Sequence, residues 1–414
     1  MSAPLRPSAR AWLVVGLLWV VVCSNYVARL MLTTMHGSIL ASLPMSEKQF
    51  GLLTSATLCM YGLTSSVAGF ASDRFGRSRV IIASLLVWST LTLLSAYART
   101  FGQLLVLRGL MGGSEAFYIP AALALVSEYH VGSTRSLATG LHQTGICVGI
   151  GLAGLGGWLA ESHSWPFAFK AVGLGGIAYG GVLLCLLRDA PRPDSPSAGP
   201  AAAAPPPRLG EALASLFGPR CRRSFLLAMG NFGLIGIASW TAISWMPLFF
   251  HEHFQLAQGA AGFASNIYAS VGTIAGVLIG GVWADRWSRT NRRARMLVPA
   301  IGLLLAAPCL LFTAYSGLLV IAIVGLVLYR LFSVFTDSNM MPVLCEIIDP
   351  RYRATAYGLL NLMGTTAASL GVFVAGVVRD FHVDLALVFV VIAGLTALCS
   401  PGFYFMKPLA DTPS

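Results

Sequence analysis

The chain has 414 residues, of which 56% are hydrophobic and only 10% charged, with 44 glycines and a formal net charge of +11. A soluble domain carries roughly 25% charged residues and could not cover itself with so few, and disordered chains are poor in the apolar residues that dominate here. What remains is an all-α polytopic membrane protein, since twelve helices of about 20 residues each fit this length with room for short loops and one linker.

In chain order, apolar runs long enough to cross a bilayer fall at 11–32, 49–71, 80–98, 101–126, 136–159 and 165–187. The first run follows Arg6 and Arg10, lacks a small-residue cleavage site and contains Asn25 and Arg29, so it reads as span 1 rather than a removed signal peptide. These six spans form an N-terminal half, 1–187. Residues 188–223 differ in kind: Pro191, Pro193, Pro196, Pro200 and Pro205-Pro206-Pro207 sit among Ala and Ser, followed by Arg208, Arg220, Arg222 and Arg223. Proline at that density forbids a spanning helix, so this is a linker, with a short amphipathic surface helix expected over 208–217. A C-terminal half, 224–414, supplies six more runs at 224–250, 262–284, 295–315, 317–344, 354–378 and 382–406.

With the N-terminus, even-numbered loops, linker and C-terminus on one side, that side holds twenty of the 27 Lys and Arg, and the other holds four: Lys48, Arg99, Lys170 and Arg379. Short loops rich in Lys and Arg stay cytoplasmic. Both termini are therefore expected in the cytoplasm, with the chain crossing the inner membrane many times and meeting the lipid bilayer as its main surroundings. The same count explains the basic balance without nucleic acid as a partner. The eight cysteines lie mostly inside apolar runs with no C-x-x-C pairing, so neither a disulfide framework nor a metal site is expected. His251-Glu252-His253 resembles a ligand cluster but has no further ligand beside it. No nucleophile elbow, P-loop or H-E-x-x-H is present, which disfavours an enzyme and an ATP-driven pump alike.

The halves repeat one another. The loop after span 2 reads Gly69-Phe-Ala-Ser-Asp73-Arg74-Phe-Gly76-Arg77, and the loop after span 8 reads Gly281-Val-Trp-Ala-Asp285-Arg286-Trp-Ser-Arg289, with Gly, Asp, Arg and Arg at the same spacings. Span 4 carries Arg108, Glu115 and Pro120; span 10 carries Arg330, Asp337 and Pro342 at the same intervals. Glu128 precedes Arg135 as Glu346 precedes Arg353, both seven residues apart. Such a repeat is the mark of a two-part architecture.

The twelve-span plan and the doubled GxxxDRxGR loop resemble the major facilitator superfamily of secondary transporters, over nearly the whole chain. The resemblance implies two six-helix halves that rock about a central site, no cofactor, and a monomer. It also implies a cytoplasmic gate, made and broken as the halves move, from Gly69, Asp73, Arg74, Arg77, Glu128 and Arg135 in one half and Gly281, Asp285, Arg286, Arg289, Glu346 and Arg353 in the other. In that gate Gly69 and Gly281 would admit close helix approach, Asp73 and Asp285 would face a helix N-terminus of the other half, and the arginines would pair with Glu128 and Glu346. The plainer reading of the same arginines is that they only anchor the cytoplasmic side.

Ionisable groups inside a bilayer are costly and mark function by default. Here they are Arg29, Arg108, Glu115, Arg330 and Asp337, with His142 a milder case. Seven residues are nearly two helical turns, so Arg108 and Glu115 share a face about 10 Å apart along the axis, as do Arg330 and Asp337. Three arginines against two carboxylates leave a positive interior suited to a carboxylate or phosphate. The competing reading is that these charges pair with one another and hold the halves together.

Asn25-Tyr26-Val27-Ala28-Arg29 resembles the NYxDR motif of the anion:cation symporters, Arg108-Gly109-Leu-Met-Gly112-Gly113-Ser-Glu115 resembles their RxxxGxGE pattern, and Asn361 resembles their span 11 asparagine. By that resemblance Tyr26, Arg29, Arg108 and Asn361 contact a small organic anion such as a sugar acid, Glu115 carries the coupling proton, and the proton gradient drives symport. The family's span 1 Asp is Ala28 here, and Asp337 could replace it from span 10. Arg330, His142 and Gln143 of span 5, and Trp240 of span 7 complete the candidate substrate contacts. The spinster-like lipid carriers share a similar span 1, and Ser114-Glu115-Ala116 resembles their span 4, which keeps a lysolipid or other amphiphile open as the cargo. Drug or metabolite export is a weaker alternative, because the Gly-rich span 5 lacks the Gly-Pro of the antiporters. A ligand sensor built on a transporter scaffold is the rival from another class.

Overall fold

The computed structural model describes residues 9–130, 134–190, 209–219, 221–291, 293–349 and 352–407; within its helices the side chains at positions 66, 69, 70, 73, 136, 209, 212 and 354 lie outside the description. Every secondary-structure element among the described residues is helical. The spans of the first half are Ala9–Thr34, Glu47–Phe75, Arg77–Ser95, span 4 in two pieces (Phe101–Glu115 and Tyr118–Tyr129), span 5 in two pieces (Arg135–Leu152 and Gly154–Ser162), and Trp165–Leu186. Those of the second are Arg222–His253, Gln258–Ser288, Ala294–Tyr315, span 10 in two pieces (Leu319–Ser333 and Phe335–Ile347), Arg353–Asp380 and Leu385–Phe405. Eleven of these stretches are long and apolar enough to cross a membrane, and the 29-residue span 2 makes twelve.

Local chemistry sets the helix starts. Ser46 and Gln49 form a reciprocal capping box ahead of span 2, Thr100 accepts from the Gln103 N–H ahead of span 4, and Ser164 accepts from the Phe167 N–H ahead of span 6, with proline in the first turn. Each satisfies an N–H group the helix cannot. Gly76, at φ +88°, separates spans 2 and 3, a backbone conformation that glycine adopts without strain. The second copy of the motif has Ser288 at that place, and span 8 includes it as its last residue before turning at Arg289 and Thr290.

Hydropathy gave no hint of the breaks. Span 4 tightens at Ala116–Phe117, where the Phe117 N–H bonds Ser114 three residues back, span 5 at Ala153, bonded to Ile150, and span 10 at Val334, where the Asp337 N–H bonds the Val334 carbonyl. Mid-helix tightening of this kind marks hinges and functional sites, and these breaks fall directly after Glu115 and between Arg330 and Asp337.

The sequence repeat becomes a repeat of packing. Span 1 lies on 5, 3 on 6 and 2 on 4, as 7 lies on 11, 9 on 12 and 8 on 10. Between the halves, span 2 runs along span 11 and span 5 along span 8. Gly51 and Gly376 bring spans 2 and 11 into backbone contact, since a Cβ on Gly376 would stand 2.6 Å from the Glu47 carbonyl oxygen. Among the described residues the polar joins lie from mid-span toward the end away from the linker. The Ser38 N–H and hydroxyl meet the Gln258 side chain, the Gln258 and Gly259 N–H groups donate to Glu161, the Lys48 N–H donates to Asp380 at 3.0 Å, Ser369 donates to the Ser55 carbonyl at 2.9 Å and Ser270 to the Cys147 carbonyl at 2.8 Å. The apolar cores follow the same division. One core at the far end combines Met31, Phe50 and Phe169 with Trp245, Phe249 and Phe389 of the other half, whereas toward the linker each half has its own. The protein is therefore closed at the far end and parted at the linker end. Most of the linker lies outside the described residues. Its helix, Leu209–Leu216, buries Leu216 against Phe225 and Met296 of the second half.

Candidate functional site

Where the halves part, the buried charges come together in a way their spacing along the chain did not indicate. Glu115 is fully buried, and its Oε2 accepts from Arg29 through Nε at 2.8 Å and Nη2 at 2.7 Å. Its other oxygen, Oε1, has no hydrogen-bond partner among the described residues. Glu115 thus answers Arg29 of span 1 rather than Arg108, with which it shares a helix face. Two turns of helix separate those side chains by about 10 Å, while span 1 crosses span 4 and delivers Arg29 directly. The Arg29 guanidinium also lies over the rings of Tyr61 at 4.5 Å and Tyr26 at 5.1 Å, with Asn25 Oδ1 at 3.5 Å.

Arg108 has a different task. It is 1% exposed. Its Nη2 donates to the Arg29 carbonyl at 2.8 Å and its Nη1 to the Ala28 carbonyl at 3.3 Å, while its own carbonyl accepts from Thr57 at 3.3 Å. It ties spans 1, 2 and 4 together through backbone groups and holds Arg29 in place from behind. Alongside it, a Cβ on Gly112 would lie 2.1 Å from the Thr57 carbonyl oxygen, so spans 2 and 4 touch there only because the residue is glycine.

The second half does not copy this arrangement. Arg330 donates through Nε to Thr273 at 3.2 Å, and no carboxylate pairs with it among the described residues. It lines a crevice with Met246, Asn266 and Tyr329 of spans 7, 8 and 10. It is within electrostatic reach of Cys147 on span 5, which is in turn within reach of Tyr26. Asp337 is exposed, lies within electrostatic reach of Arg330 on the same span without forming an ion pair, and accepts from its neighbour Thr336 at 3.3 Å. The ladder Tyr61, Tyr357, Asp337, each within electrostatic reach of the next, runs across the space between the halves.

The other candidates are scattered. His142 is fully buried in the first half. Tyr118 donates to the Leu18 carbonyl at 2.6 Å and so must accept from His142 Nε2 at 2.9 Å, which makes the histidine a tie between spans 1, 4 and 5 rather than part of an open wall. Gln143 is exposed on span 5. Trp240 is half-buried in span 7, and Asn361 is half-buried on span 11, linkerward of the inter-half contact between Gly62 and Thr365. His251, Glu252 and His253 turn to separate partners: the Leu256 carbonyl, Arg379 and the Ser316 carbonyl. Sequence reading missed Tyr61, a phenol in the middle of span 2, and Tyr357, in the second turn of span 11.

Four contacts of the gate residues join described residues of the same half. Arg77 pairs with Glu128. In the second half it is Arg295, not Arg286 or Arg289, that reaches Glu346 at 3.8 Å and Asp285 at 3.6 Å. Asp285, 73% exposed, meets span 9 of its own half rather than a helix of the other. Arg353 donates to the Cys345 carbonyl at 2.7 Å. Arg74, Arg135, Arg286 and Arg289 are exposed. The side chains at Gly69 and Asp73 lie outside the described residues. Gly281 has room for a side chain, the nearest atom to its Cβ position being 3.9 Å away; the close approach belongs to Gly280, whose Cβ would lie 2.7 Å from the Phe335 ring.

Comparison with known proteins bears on the whole arrangement. An MFS-type efflux pump from Mycolicibacterium smegmatis is 24% identical over 91% of this chain and 86% of its own length. The probable galactarate/D-glucarate transporter GarP of Escherichia coli is 25% identical over 94% of this chain and 93% of its own. The mouse sphingosine-1-phosphate transporter SPNS2 is 24% identical over 81% of this chain, which spans 63% of that protein. In fold, a bacterial homologue of the human lysosomal transporter spinster, in an inward-facing and unoccupied conformation, superposes with a TM-score of 0.81 over 98% of this chain and all of its own, at 20% identity. The Major Facilitator Superfamily model matches residues 18–372 and 232–413. Twelve spans in a repeated plan, a charged site where the halves part, and a family match over most of the length converge: the chain is a multi-pass membrane transporter and belongs to the Major Facilitator Superfamily.

Proposed function

We propose that this protein moves a small organic anion by alternating access, coupled to protons, with its linker face in the cytoplasm. The observation that carries this reading is the imbalance of buried charge. Of the three arginines buried among the described residues, Arg29 is paired, Arg108 is committed to backbone carbonyls, and Arg330 is left with one hydroxyl. A desolvated guanidinium with donors to spare is a site for a carboxylate or phosphate. The anion docks on Arg330, and its far end reaches the Arg29, Tyr26 and Tyr61 cluster past Cys147. Glu115, with one oxygen held by Arg29 and the other unbonded, is the group that takes and releases the proton. Its exchange of Arg29 for a proton, as the anion draws on Arg29, links the two fluxes. The galactarate/D-glucarate transporter among the relatives supports a sugar acid or similar carboxylate. The tyrosine walls at 26, 61 and 357 support a second reading, an amphiphilic anion whose apolar part lies on the rings.

The test is counterflow in proteoliposomes with sugar acids, aromatic acids, dicarboxylates, lysolipids and neutral or cationic controls, with and without a proton gradient. Anions should exchange, and Arg330→Gln should abolish exchange. Glu115→Gln should keep exchange but lose accumulation against a gradient. Movement of neutral or cationic compounds alone defeats the anion assignment. Full accumulation by Glu115→Gln defeats the proton assignment. A thermal shift with ligand but no flux would make the protein a sensor.

A further inference from the structure

We infer that the first half carries a binding site for the headgroup of an anionic phospholipid, formed by Arg10 and Arg188 on its outer face at the linker end. Arg10, Leu13, Cys185, Leu186 and Arg188 line a pocket of about 640 Å³ between the start of span 1 and the end of span 6. The helices are cinched just below it, where Tyr179 on span 6 donates to the Leu17 carbonyl of span 1 at 3.0 Å. On the protein side, Val14, Leu183 and Leu187 seal it as part of the first half's core. Arg10 and Arg188 are the two charged residues of the lining.

Three observations give the occupant its chemistry. Both arginines are exposed, and neither side chain has a hydrogen bond or ion pair among the described residues. The carboxylate next in sequence, Asp189, is already taken, because its Oδ1 accepts from the Ser78 N–H at 2.7 Å. Leu13 (47%), Leu184 (60%) and Leu186 (45%) present bare apolar surface beside the mouth. Paired guanidiniums favour a phosphate, and apolar surface running toward the bilayer interior favours acyl chains, so the two together fit a phospholipid rather than a soluble phosphate. Basic pockets between spans on the cytoplasmic side are where anionic headgroups are held. The site is separate from the inter-half space and does not depend on what the protein carries.

The full-length protein in phosphatidylcholine nanodiscs, exposed to increasing phosphatidylglycerol, tests this by native mass spectrometry of retained lipid. Wild type should retain phosphatidylglycerol in preference to phosphatidylcholine. Arg10→Gln and Arg188→Gln should each weaken retention about five-fold, which is the effect of about one cationic contact at an anionic surface, and the double variant should remove the preference. Arg79→Gln, an exposed arginine on the same side, should leave it intact. Because the two arginines support no other contact, the double variant should keep the wild-type Tm in phosphatidylcholine, which separates lost binding from lost folding. Equal retention of both lipids by wild type, or an undiminished preference in the double variant, overturns the site. So does displacement of the lipid by millimolar inorganic phosphate, which would make the occupant a soluble anion.

Discussion

Breaking the Arg29–Glu115 pair from either side should destabilise the protein more than removing it whole. Glu115→Gln takes away the negative charge and leaves a guanidinium that is 5% exposed and stays charged at any accessible pH. Stranding one partner of a buried ion pair costs about 3–5 kcal/mol. Part of that is offset here. The new amide oxygen still accepts one hydrogen bond, about 1 kcal/mol, and the Tyr61 and Tyr26 rings at 4.5 and 5.1 Å already face the cation. A net loss of about 2 kcal/mol remains, an apparent Tm lower by several degrees. Arg29→Gln strands the carboxylate instead, which loses the donors to Oε2 while Oε1 already lacks one, and should cost at least as much. The double variant Arg29→Gln/Glu115→Gln puts two neutral amides of similar volume in the same space, free to bond each other, and should return most of the loss. Apparent Tm by intrinsic tryptophan fluorescence in one detergent, for wild type, both single variants and the double, gives the coupling directly. Independent sites add to within about 0.5 kcal/mol. Additive losses would mean that the pair is not formed in the resting protein, and the route assigned to the proton would fail with it.

The remaining predictions concern the groups around this pair. Arg330→Gln should abolish anion exchange with a Tm near wild type, because only the Thr273 bond is lost, whereas Arg108→Gln should lower Tm because it frees the Ala28 and Arg29 carbonyls. Gly157→Val should loosen the far end, where a Cβ would already lie 2.6 Å from the Thr34 carbonyl oxygen; the check is a lower yield of thiol cross-linking between cysteines placed at Ser38 and Gln258. Glu128→Gln should change stability by less than about 1 kcal/mol, since its partner is a partly exposed arginine, and a large fall in Tm would show that the pair bears on folding. Asp337→Asn should slow net uptake while leaving anion exchange close to wild type, read by comparing uptake into empty and preloaded vesicles.

The spans could be read from the sequence because hydropathy is a local property, and the repeat because matched spacings survive in one dimension. Contacts between spans could not. Arg29 and Glu115 lie 86 positions apart, and no periodicity within span 1 or span 4 encodes their crossing. The same limit hid the difference between Gly280 and Gly281, since neighbours in sequence point to different sides of a helix and only the facing Phe335 distinguishes them. It also hid Arg295, outside the repeated motif yet the residue that reaches Asp285 and Glu346. Tyr61 and Tyr357 went unnoticed because a tyrosine in an apolar span is compatible with packing, and only the packing of spans 1, 2 and 11 makes Tyr61 the face that Arg29 rests on.

The divergence of the halves has a consequence for the transport cycle. Identical spacing of Arg108, Glu115 and of Arg330, Asp337 yields a closed ion pair in one half and an open cation in the other because only span 1 offers a partner, Arg29, to the first carboxylate. The span that would answer it in the second half, span 7, carries no charge between Arg223 and His251. When the halves close over the site, water leaves, and a cation without a partner becomes more costly as the surroundings become less polar. On the proposed function, a bound anion would remove that cost at Arg330. An empty carrier must remove it from within, and Asp337, seven residues along the same helix and across the break at Val334, is the carboxylate placed to do so if span 10 bends there. On that proposal, exchange of anion for anion does not ask for the bend and net transport asks for it once in every cycle, so Asp337→Asn should slow the return of the empty protein and leave exchange unchanged.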